Sequence, residues 1–174
     1  MNWTAPDPTR TQAPLIADER PMLQGWLDFH RATLLMKCAG LTEKQLKQRS
    51  VEPSTLSLHG LVRHMSEVER GWFRRAATAT DLAYLYCTED NPDGDFDDTE
   101  QADPATDFAT YRRQIELADA AVVDLPLEHT FPHPFRPELV YNLRWVYVHM
   151  IEEYARHNGH ADLLRERIDG ATGD

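Results

Sequence analysis

The stretch ELVYNLRWVYVHMIEEYARHNGHADLLRERIDG, Glu138 to Gly170, decides the architecture. It holds no proline, and Leu139, Leu143, Val146, Tyr147 and Met150 recur at three- and four-residue steps, which predicts one long amphipathic helix over Glu138–Ile168. Gly159 is its only interior breaker. Three other segments carry the same period. Asp18 is an N-cap candidate with Pro21 in the first turn. Behind it Met22, Leu23, Trp26, Leu27, Phe29, His30, Leu34 and Leu35 form a broad apolar face that lasts until Gly40. Ser57 opens a second face (Leu58, Leu61, Val62, Met65, Val68, Trp72, Phe73) that reaches about Thr78. Asp103 followed by Pro104 signals the start of a third, with Phe108, Tyr111, Ile115, Leu117, Ala118 and Val122, which stops near Asp124.

Strict apolar/polar alternation nowhere lasts long enough to predict a sheet, and no segment repeats at a fixed period. Four amphipathic helices predict an all-α protein, a four-helix bundle. Its connection from the second to the third helix is long enough to cross the bundle instead of closing a hairpin. Residues 41–53 are polar with room for a short turn. A Pro-rich connector (Pro126, Pro132, Pro134, Pro137) leads into the last helix. Residues 1–17, with Pro6, Pro8 and Pro14, read as an extended arm, and 18–170 as a single domain.

The chain has 174 residues, 18 Lys plus Arg against 29 Asp plus Glu, and a net charge of -11. With no cluster of basic residues it has no footprint for nucleic acid or an anionic membrane surface. No apolar run nears the roughly 20 residues of a membrane span, and Met1 to Pro14 lacks the features of a signal peptide, so the cytoplasm is the expected compartment. Cys38 and Cys87 form no C-x-x-C spacing and read as reduced thiols. Ten carboxylates and no Lys or Arg lie between Asp81 and Asp107, leaving 19 acids against 18 bases elsewhere. The DNPDGDFDD core of that segment has alternating aspartates but not the spacing of an EF-hand, so a solvated acidic surface loop is expected.

The densest polar cluster is YVHMIEEYARHNGH. His149, Glu153 and His157 fall at i, i+4 and i+8 on one face, with His160 three beyond His157. Ionisable groups on a core-facing stripe are costly unless paired or metal-bound, and imidazole with carboxylate is a ligand set for zinc, iron, nickel or manganese. A helix rises 1.5 Å per residue, so His149 and His157 lie about 12 Å apart and cannot share an ion. The helix therefore offers two ligands at once: His149 with Glu153, Glu153 with His157, or His157 with His160. The best third ligand is His64 in LHGLVRHMSEVERGWFRR, on the stripe of Leu61, Val68 and Trp72, whereas His59 points elsewhere. Glu67 and Glu69 with Arg63 and Arg70 read as surface charge pairs. Three protein ligands leave a fourth position open, as in catalytic sites. There is no H-E-x-x-H, no nucleophile elbow and no Gly-rich phosphate loop. The alternative is a hydrogen-bonded core in which these side chains hold no ion.

The pairing of LSLHGLVRHMSEVERGWFR with WVYVHMIEEYARHNGHADLLRERIDG resembles the DinB-like superfamily. The likeness is to its uncharacterised-domain branch, related to mycothiol-dependent maleylpyruvate isomerase and the bacillithiol and mycothiol S-transferases, and it runs from about residue 15. It implies a four-helix bundle with a long crossover and a divalent metal, commonly zinc or nickel. The metal ligands it implies are His64, Glu153 and His157, and His149 and His160 match no ligand position. A low-molecular-weight, mycothiol-like thiol, activated by the metal, would attack a small electrophile. A metal-binding stress or sensor protein without turnover is the alternative. The isomerase's further C-terminal domain has no counterpart here, which argues against isomerisation. Apolar faces at the helix ends could make a homodimer, as in some members of that family.

Overall fold

The computed structural model describes residues 3–133 and 136–173. Pro134 of the Pro-rich connector and the first two residues of the arm lie outside them. Four long helices make the body: α1 (Glu19–Cys38), α3 (Leu58–Glu69), α5 (Pro104–Val122) and α6 (Leu143–Asp169). Two single-turn helices, α2 (Glu43–Leu46) and α4 (Gly94–Asp97), sit in the connections, and a hairpin, β1 (Thr130–His133) with β2 (Arg136–Asn142), precedes α6. The chain is an all-α bundle with residues 77–103 crossing between α3 and α5. α1 packs along α6, α3 along α5, and α3 also meets α6, which is the contact that assembles the site.

Local signals set the ends. Asp103 accepts from the amides of Ala105 and Thr106 at the start of α5, with Pro104 in the first turn. Thr42 and Gln45 close a capping box around α2. Gly40 (φ 74°) and Gly170 (φ 78°) take the left-handed conformation just beyond α1 and α6. On α3, Leu58, Leu61, Val62 and Met65 are fully buried, and each such side chain contributes about 1.5–3 kcal/mol. Residues 3–17 have almost no regular structure and lie against the bundle. Ala5 is buried and exchanges backbone hydrogen bonds with Gly40 and Leu41, and Trp3 meets Phe108 edge-on at 5.5 Å.

Four expectations are corrected. The last helix starts at Leu143 instead of Glu138. Asn142 caps the Trp145 amide at 2.8 Å, and the residues before it pair with Thr130–His133 as an antiparallel hairpin. The prolines hid these strands by breaking the alternation. Both strands are edges, so Pro132, which has no N–H to donate, is tolerated opposite Val140. The second long helix does not run on as one α-helix. After Glu69 it becomes a π-helix over Arg70–Ala76, closed by a bond from the Ala77 amide to the Trp72 carbonyl.

Of the four residues expected as surface charge pairs, Glu67 and Arg70 are half-buried, and Glu69 and Arg63 are not on the surface at all. Glu69 has no exposed side-chain area and forms a two-pronged bond with Arg31 of α1 at 2.8 Å, while Arg63 is buried against Asp107 of α5. Nor is the acidic segment wholly solvated. Asp93, Asp97 and Asp98 are exposed, but Asp95 and Asp107 are buried and hydrogen bonded into the bundle.

Candidate metal centre

His64 stands on α3, and Glu153 and His157 stand one turn apart on α6. Where the two helices meet, one ligand atom from each lies within 4.8 Å of the other two. The His64 and His157 rings are 4.8 Å apart between centroids. Metal–ligand bonds near 2.1 Å put the ligand atoms of a tetrahedral site roughly 3.4 Å apart, so small side-chain rotations close these three onto one ion.

The surroundings prepare His64. Its Nδ1 lies 2.8 Å from Asp95 Oδ2, an acceptor, so the proton resides on Nδ1 and Nε2 keeps its lone pair free. Phe96 stacks on the ring at 4.6 Å and holds its plane. Asp95 is held in turn by Arg63, which donates to the carbonyls of Gly94 and Asp95, each at 3.0 Å, and to Asp107 Oδ2 at 3.0 Å. His59 Nε2 and the Tyr86 hydroxyl also bond Asp107. Position 94 must be glycine, because a Cβ there would fall 2.5 Å from the Tyr86 carbonyl oxygen.

His157 is almost fully buried. That burial, followed by the charges of His64, His160 and Arg156, pulls its pKa down to about 4, so at neutral pH it is an uncharged imidazole with a lone pair to offer. Its Nδ1 lies 3.3 Å from His160 Nδ1 and its Nε2 3.6 Å from Glu153 Oε2. The other Glu153 oxygen faces His149 Nε2 at 3.6 Å and Arg156 at 3.8 Å. His149, Glu152 and Glu153 form a second group of comparable closeness, but Arg156 already supplies a cation to both carboxylates. His149 stacks on Trp145 at 4.7 Å and meets Trp72 edge-on at 4.8 Å. Burial lowers its pKa despite the two carboxylates.

The structure thus brings His64, Glu153 and His157 together, sets His160 beside His157, and leaves His149 in an aromatic stack. Sequence reasoning missed Asp95, Phe96, Arg63 and Asp107. Phe96, the one aromatic side chain in the acidic core, was the signal that this loop docks on the body.

Beside His64 opens a cavity of about 320 Å³ between the α3 face, including its π-helical turn, and the crossover, with Trp72, Tyr84 and Phe96 in its walls. The Cys87 thiol also borders it, and burial, with the neighbouring Asp95 and Glu67 charges, raises its pKa to about 11. Cys38 is buried and its thiol is raised to about 12. Among the described residues no helix is long and apolar enough to cross a membrane.

The family model described as mycothiol S-transferase matches residues 22–170. No curated protein and no solved structure matches the chain.

Proposed function

The chain belongs to the mycothiol S-transferase family, and on that premise we propose that His64, Glu153 and His157 hold a divalent metal, zinc or nickel, serving a thiol transferase. The thiol is a low-molecular-weight, mycothiol-like molecule, and its partner a small electrophile. A bound divalent ion favours thiolate over thiol and so supplies a nucleophile at neutral pH. Two imidazoles and one carboxylate from two helices would suit such an ion and would leave a further position for the sulfur.

The protein's own groups orient and shield. Asp95 holds the His64 proton on Nδ1, Phe96 sets the ring plane, and burial keeps His157 uncharged. The apolar walls beside His64 exclude water from the electrophile. The observation that carries this reading is the convergence of one ligand atom each from His64, Glu153 and His157 within 4.8 Å, with the His64 ring held through its Nδ1 by a buried carboxylate.

Elemental analysis of untagged protein beside His64→Ala tests it. About one equivalent of metal per chain, sharply reduced in the variant, is expected. No metal after reconstitution with zinc, nickel or manganese overturns the reading. Bound metal without a conjugate, across thiols and electrophiles, leaves a metal-binding protein without turnover.

A further inference from the structure

The wall of the cavity beside His64 is a single stripe of the α3 run: His64, Glu67, Val68, Gly71, Trp72 and Arg75. These positions step by three and four, and the π-helical turn carries the last three onto the same side. His64 and Arg75 stand eleven positions apart, roughly 15 Å along the axis with the tighter π-helical turn included, so the space is a groove with two distinct ends. Gly71 lies midway, and a Cβ there would meet nothing within 4 Å. The groove is therefore open at its centre because the residue there has no side chain.

Its two ends differ in charge. At the His64 end stand Asp95, bonded to His64, and Glu67, whose Oε1 accepts from the amides of Leu85, Tyr86 and Cys87. At the other end Arg75 lies over the Tyr84 ring at 4.1 Å, with no carboxylate in ion-pair contact among the described residues. Arg63, Arg31, Arg144, Arg156 and Arg165 all have such partners. Phe96 against His64 and Tyr84 beneath Arg75 line the ends, Val68 and Trp72 the stretch between them, and His133, Asp93 and Cys87 also border it, so the walls are mostly apolar or aromatic and suit an apolar body.

We propose that this groove takes an elongated, largely apolar electrophile with an acid group at one end, bound to Arg75, and its reactive carbon at His64. The placement of the reactive end rests on the metal and thiol reading above. The binding of the acid end to Arg75 does not. With the ion bound, the carboxylates of Glu67, Asp95 and Glu153 offset its two positive charges, so among the described lining residues the cation left to attract an acid group is Arg75 at the far end.

Ethacrynate is a suitable probe, because it carries a carboxylate at one end of a chlorinated ring and an α,β-unsaturated ketone at the other. Thiol addition forms an S–C bond at the terminal alkene carbon and breaks the C=C π bond. The thiol's proton ends on the carbon beside the ketone, so no oxidant or leaving group is required. Its saturated analogue cannot alkylate and reports binding alone.

Calorimetric titration of the metal-loaded full chain with the saturated acid and with its methyl ester is the test. The acid is expected to bind about tenfold more tightly, as one charge-assisted bond provides. Arg75→Gln, with unchanged circular dichroism, is expected to bring the two within about twofold. Gly71→Val is expected to weaken both. Equal affinity of acid and ester for the native protein, or an unchanged preference in Arg75→Gln, overturns the proposal. Conjugation of ethacrynate with N-acetylcysteine is measured in parallel. Selective binding of the acid without conjugation counts against the metal and thiol reading and leaves the acid-ended groove standing.

Discussion

Replacing Glu69 with Ala isolates the charge cluster at the centre of the bundle. Arg31 is fully buried and donates to both Glu69 oxygens at 2.8 Å. The Tyr154 hydroxyl donates to Glu69 Oε1 at 2.8 Å, and Tyr111 donates to Tyr154 at 2.9 Å. The substitution leaves the guanidinium with Asp28 and Asp119 as its carboxylate partners among the described residues, both at its solvent side. Removing one partner of a buried pair costs about 3–5 kcal/mol when the remaining charge is left alone, and the contacts to Asp28 and Asp119 put the loss toward the lower figure. Against a total stability of about 5–15 kcal/mol this is a large share, and at about 2–4 °C per kcal/mol the melting temperature falls by roughly 6–20 °C.

Chemical denaturation followed by circular dichroism measures the loss. Arg31→Met with Glu69→Leu removes both charges and is expected to recover most of it. If Glu69→Ala unfolds within about 0.5 kcal/mol of the native protein, Arg31 does not depend on Glu69. If the double variant is no more stable than Glu69→Ala, the cost is lost contact and not an orphaned charge. Tyr154 adjoins Glu153, so the same network sets the register of α6 against α3 at the site.

Asp95→Asn keeps an acceptor near His64 but removes its charge, and is expected to weaken metal binding about 10- to 100-fold in a chelator competition, with the melting curve of the metal-free protein little changed. Burial raises the pKa of Asp107, but the bonds from His59, Arg63 and Tyr86 outweigh it and hold the carboxyl below its usual 3.8. A lowered folded-state pKa means that its stabilisation is complete above the unfolded value. It is lost as pH falls through the lowered one, so unfolding titrations should show a drop in stability below about pH 4 that Asp107→Asn diminishes.

The four helices were legible because each carries its own period and caps. The Asp103–Pro104 start of α5 and the glycine ends of α1 and α6 stand where the sequence put them. The hairpin was not, because Pro132, Pro134 and Pro137 interrupt the alternation that would have marked its strands. The π-helical turn was not, since Arg70–Ala76 keeps helical spacing while its hydrogen bonds shift by one residue.

Sequence alone determined the two helix faces that meet at the site, because i, i+4 spacing puts Glu153 beside His157 and aligns His64 with Leu61 and Val68 in any helix. It could not distinguish Glu69, with no exposed side-chain area, from Asp93 on the surface, since both are acids in polar stretches. Burial of a charge is decided by what arrives from elsewhere in the chain: Arg31 reaches Glu69 from α1, and Asp95 reaches His64 from the crossover. Only the tertiary structure supplies those partners, and it also sets Arg75 at one end of the groove with no carboxylate in ion-pair contact among the described residues.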